Sequence, residues 1–143
     1  FEPQSNILHV RGKISALDGE YGRHLETNGD LEINGALYKN IISVREKEYD
    51  FKESDHTVLF DTTDNHIKAV LPRASENRGR VIIIKKICDD ANKYKLKSGY
   101  VLKITTEGEL IDFSTEIVLK NTYATRTFHC DGKKWWIVNK SGA

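Results

Sequence analysis

The 143-residue chain has no methionine, so it is expected to begin downstream of its own translation start, as a fragment or processed product. It has two cysteines, Cys88 and Cys130, neither in a Cys-x-x-Cys pair, which excludes a zinc ribbon or a thioredoxin-like motif. Thiols so far apart in sequence are expected to be buried and free, as in a chain that folds in a reducing compartment. No apolar run approaches membrane-spanning length and no signal-peptide pattern is read at Phe1, so no membrane insertion is expected. A formal net charge of +1 lacks the basic excess of a nucleic-acid binder. Catalytic signatures are missing as well: there is no Gly-x-Ser-x-Gly elbow, His-Glu-x-x-His pair, Walker loop or Rossmann glycine pattern. Helix signals are poor. The charged stretch at 45–52, Arg-Glu-Lys-Glu-Tyr-Asp-Phe-Lys, suits a turn or two of solvated helix.

What the chain does have is a series of short β-prone runs between turn residues, at 7–11, 36–44, 57–60, 67–71, 80–87, 101–105, 116–119, 123–130 and 134–139. This spacing predicts an all-β domain, a sandwich, barrel or prism. The region 56–87 is the most telling. Between 66 and 71 the residues alternate, with Ile67, Ala69 and Leu71 on one side and His66, Lys68 and Val70 on the other, as in a strand with one dry face. Val81, Ile82, Ile83 and Ile84 are apolar without a break, which predicts cover on both faces, the second from another sheet or another copy of the chain. Near the end, Asp131-Gly132 between β-prone runs predicts a hairpin. Beyond it Trp135 and Ile137 share one face and Trp136 and Val138 the other, so one tryptophan belongs to the core and the other to an interface or to solvent.

The beginning reads differently. Five of the ten glycines fall in the first 35 residues, and Asn28-Gly29-Asp30-Leu31 is echoed six residues later by Asn34-Gly35-Ala36-Leu37. Asn-Gly supplies the positive φ angles of a tight turn. Turns every six residues fit either a chain winding round an axis beside other chains or two loop turns that look alike. A domain boundary is placed at 48/49, with a Gly-rich segment at 1–48 that needs partners to bury anything and a β domain at 49–143.

Side chains capable of chemistry are scattered. The carboxylates Asp61, Asp64, Asp89, Asp90, Glu107, Glu109 and Asp112 all lie in expected turns, where such side chains serve the backbone. Oxygen ligands also cluster at 61–65 and 89–92, and five dispersed histidines (His9, His24, His56, His66 and His129) offer a metal only through symmetry. The turn reading is preferred for these clusters, and no catalytic residue, metal or cofactor is assigned. Lys93, Lys95, Lys97, Lys103, Lys133 and Lys134 either face an acidic glycan or guard an edge strand. Trp136 reads as an intersubunit contact or a platform for a sugar ring.

Taken together, Thr57-Val58-Leu59 before Asp61-Thr62-Thr63, Leu71-Pro72, Gly79-Arg80 ahead of 81–86, and Asp131-Gly132 ahead of Trp135-Trp136-Ile137 resemble a C-terminal β domain recurrent in phage tail-fibre and viral fibre-like proteins. The upstream Asn-Gly pairs are similar to the short-turn shaft segments of such fibres. The resemblance implies a homotrimeric β-sandwich or β-prism-like head, with 1–48 as a short shaft or neck, synthesised in host cytoplasm and carried at the fibre tip of a virion. It implies attachment without a chemical step to a glycan or protein receptor on the host-cell surface. Under this reading Trp136, Lys133 and Lys134 are assigned to the receptor, and Ile82, Ile84, Leu31 and Leu37 to the trimer interface. The alternatives are a structural tip that only trimerises and caps the fibre, and an appendage that degrades polysaccharide.

Overall fold

The computed structural model describes residues 28–90 and 99–142. The chain divides into two units, Phe1–Leu37 and Tyr38–Ala143. The division falls upstream of 48/49 because residues 41–44 already hydrogen-bond as a strand of the larger unit. In the smaller unit, bends fall at both Asn-Gly pairs, but neither Gly29 nor Gly35 takes a positive φ. Leu31 and Leu37 are exposed there. The strand expected at 7–11 lies outside the described residues.

Among the described residues the larger unit is all-β apart from one 3-10 turn at Ala74–Glu76. Its strands are β1 (Ile41–Val44), β2 (Glu48–Asp50), β3 (Thr57–Asp61), β4 (Ile67–Val70), β5 (Val81–Ile87), β6 (Leu102–Thr105), β7 (Glu116–Leu119), β8 (Thr125–Cys130) and β9 (Trp135–Ser141). They form a five-stranded sheet in the order β1-β3-β5-β8-β9 and a four-stranded sheet in the order β2-β4-β6-β7. From β1 to β6 the chain alternates between the sheets, and every neighbour in that stretch is parallel. Each strand pair is one coil of a flattened β-solenoid, a winding that a sandwich or prism reading does not contain. The winding then ends, because β7 runs antiparallel to β6, β8 antiparallel to β5, and β9 antiparallel to β8.

Alternation fills the space between the sheets. Val58, Phe60, Ile82, Ile84, Phe128 and Trp135 point in from the first sheet, and Ile67, Ala69, Leu102, Ile104 and Leu119 from the second. Each large aliphatic or aromatic side chain so buried stabilises the fold by about 1.5–3 kcal/mol before ordering costs. The 45–52 stretch is not helical. Tyr49 turns toward the core and donates its hydroxyl to the buried Asp55 carboxylate at 2.7 Å, while Glu48 and Asp50 face out, so a period of two overrides the charge density. Burial and the Asp55 hydrogen bond raise the Tyr49 pKa above its ordinary value.

The uninterrupted apolar run has one covered face. Ile82 and Ile84 are fully buried within the chain, which leaves them no surface for the trimer contact expected of them, while Val81 and Ile83 on the opposite face are half-buried. Cys88 and Cys130 are both buried and free.

Candidate binding site

The site grows out of the β8–β9 turn. Gly132 takes φ 91°, a conformation that disfavours side chains. One oxygen of the Asp131 carboxylate accepts the backbone N–H groups of Lys133 at 2.8 Å and Lys134 at 2.9 Å, and the other accepts the indole N–H of Trp136 at 2.9 Å. The Trp136 bond, then the two backbone bonds, hold the Asp131 pKa down at about 2. One acidic side chain thus fixes both the turn and the aromatic ring beside it.

Trp135 anchors the hairpin from the other face. It is fully buried and donates its indole N–H to the Pro72 carbonyl at 2.9 Å, joining the Leu71-Pro72 and Trp135-Trp136 elements of the sequence pattern. Its backbone also holds the preceding loop: Trp135 N–H donates to Leu110 O at 3.2 Å, and Asp112 N–H donates to Trp135 O at 2.9 Å. Asp112 sits at φ 52° and accepts the Ile137 N–H at 3.0 Å. The next residue, Phe113, is therefore thrown outward and is 85% exposed.

These two turns meet at Lys134. Its ammonium donates to the Asp112 carbonyl at 3.0 Å and lies 4.4 Å from the centre of the Phe113 ring and 4.0 Å from that of Trp136. Both distances are in cation–π range. The result is a pre-ordered surface of two exposed aromatic rings held by one cation. The structure therefore brings Trp136 and Lys134 together, leaves Lys133 exposed at the turn, and adds Phe113. Nothing in the one-dimensional pattern marks Phe113 except its place after an Asp in a polar turn. Beside Trp136 a cleft opens between the hairpin and the turn that precedes β5, lined by Arg78, Gly79, His129, Cys130, Asp131 and Val138.

Elsewhere the sequence candidates serve the fold. Asp61 is buried and accepts from Thr63, Asp89 N–H and the Arg45 guanidinium; burial alone would raise its pKa, but the Thr63 and Arg45 bonds prevail and lower it. Glu107 pairs with Arg73 at 2.8 Å, and Glu109 accepts the Ala74 N–H at 3.0 Å at the start of the 3-10 turn. His66 accepts the Val101 N–H at 3.0 Å, and Lys103 pairs with Glu116 at 3.2 Å. His9, His24, Lys93, Lys95 and Lys97 lie outside the described residues. Among the described residues no three His, Cys, Asp or Glu side chains gather as a metal site. Arg80 of the Gly79-Arg80 pair is structural: it reaches the carbonyls of Lys52 and Asp55 and the side chain of Asn77, tying the β2–β3 connection to the start of β5.

No family model matches the chain, and no curated protein matches it.

Proposed function

We propose that this chain is the head of a trimeric viral fibre and attaches to a host-cell surface by non-covalent recognition. The observation that carries this reading is the exposed Phe113–Lys134–Trp136 surface, whose rings are held in place before any ligand arrives. Exposed aromatics restrained in this way bind at small ordering cost, and three copies on one head multiply a weak single site through avidity. The carboxylates that an appendage enzyme would use are engaged in turns and ion pairs, which favours binding over hydrolysis.

Support for assembly comes from the contrast between the two outer faces. Outside the second sheet stand Glu48, Asp50, Lys68, Lys103 and Glu116, with Glu48–Lys68 and Lys103–Glu116 ion pairs, a face suited to water. Outside the first sheet, β1, β3 and β5 carry Ile41, Leu59, Val81, Ile83 and Ile87, with Lys85 and, at the end of β3, the Arg45-paired Asp61 as the charges. That face takes over the trimer contact that the sequence placed on Ile82 and Ile84. Sedimentation equilibrium is expected to give about three times the 16.3 kDa chain mass, and labelled protein to bind host cells in competition with excess unlabelled protein. A monomer at micromolar concentration that binds no cells would end this reading.

A further inference from the structure

The cleft beside Trp136 has a chemistry that selects among surface ligands. Its backbone is fixed: Gly79 N–H donates to Cys130 O at 2.8 Å and Cys130 N–H to Arg80 O at 3.0 Å, so the ladder of β5 and β8 runs on into the turn before β5. Arg78 lies across the hairpin turn, so close that a Cβ on Gly132 would sit 3.2 Å from its own Cβ. Trp136 and Val138 supply an apolar wall. Lys134 covers part of the indole but does not line the cleft, so the cleft meets a part of the ring that Lys134 leaves open.

The charges around this wall are unbalanced. Asp131, the one acid in the lining, already accepts three hydrogen bonds. The side chains of Arg78 and His129 have no hydrogen-bond or ion-pair partner among the described residues, and neither does the exposed ammonium of Lys133 at the turn. A neutral sugar would stack on the indole and leave the guanidinium without a counter-charge. A bare phosphate would answer the guanidinium and leave the apolar wall wet. A ring with an apolar C–H face and one carboxylate answers both, with a charge-assisted bond to the fork of the guanidinium.

We propose that the cleft between Arg78 and Trp136 binds a carboxylated pyranose, a sialic or uronic acid, at the end of a host glycan. The proposal rests on the attachment reading and names its ligand class. The cleft lies at the β8–β9 side of the first sheet and borders the apolar rows of β1, β3 and β5 at Val81, the register partner of His129.

The test titrates the full chain by NMR or Trp fluorescence with 3′-sialyllactose against lactose, and with methyl glucuronide against methyl glucoside. At least one acidic member is expected to bind about tenfold or more tighter than its neutral partner, which identifies the source of the carboxylate. Arg78→Gln should abolish that difference while leaving the circular dichroism and the oligomeric mass unchanged, and Trp136→Ala should weaken the acidic ligand as well. Equal binding of acidic and neutral members, or an unchanged preference in Arg78→Gln, overturns the proposal. So does a change of mass in Arg78→Gln, which would make the cleft a subunit contact. Cell binding that persists without any acidic-sugar preference overturns the ligand class and leaves attachment standing, whereas loss of all cell binding overturns both.

Discussion

At Lys86 a side chain that is ordinarily a full positive charge occupies a row of apolar neighbours. The parallel register stacks Val44, Phe60 and Lys86 across three strands, Lys86 is fully buried, and its ammonium has no hydrogen-bond partner. Burial lowers its pKa, with a smaller opposing effect from Cys88. The folded state therefore gives up this proton at lower pH than the unfolded chain does. Below the folded value both states are protonated and the full destabilisation persists; it is relieved as pH rises toward the ordinary lysine value of 10.5. Lys86→Met is expected to raise stability at neutral pH by about 1–4 kcal/mol, the range seen when buried charges give way to apolar groups of similar volume. Urea denaturation should show that gain shrinking as pH rises toward 10.5. Asp131 has the opposite sign. Its carboxylate pKa is depressed to about 2, so the hairpin contact is complete above the usual aspartate range and is lost as pH falls toward 2. Trp136 emission should report that loss in acid, and Asp131→Asn, which has no carboxylate to titrate, should abolish the transition.

The β8–β9 turn shows how tightly one element is specified. Gly132→Ala would place a side chain at φ 91° and press it against the Arg78 stem, at an expected cost of about 1–3 kcal/mol, read by chemical denaturation. This hairpin, the tryptophan assigned to the core and the alternation of β4 were all legible in sequence, because turn chemistry and a period of two are local signals. β2 was not, since a strand of three residues beside a charged turn has too little apolar content to show its period. Nor was the parallel winding: alternation says which face a residue takes, and a parallel neighbour lies a whole coil away in the chain. The site was legible in part. Trp136 and Lys134 stand together in sequence, whereas Phe113 and Arg78 reach the same hairpin only through the backbone bonds of Trp135 and the packing of Arg78 on Gly132.

For the whole molecule, the difference between its two outer faces is the feature that assembly would use. Leu59→Lys combined with Ile83→Lys changes side chains on the outer face alone, so the fold should persist by circular dichroism while the sedimenting mass falls toward that of one chain. Val118→Lys, outside the ion-paired second sheet, should leave the mass unchanged. The winding itself has a direction. Among the described residues β1 and β2 are paired on one side only, each to a parallel neighbour, whereas the far end is shut by strands that reverse. A stack of like-oriented coils can be lengthened by inserting one more coil in phase, since each coil meets only its neighbours. The antiparallel strands forbid such growth at their end. The winding thus has one side that admits a further coil and one that does not, and an inserted coil would leave the Trp136 surface unaltered.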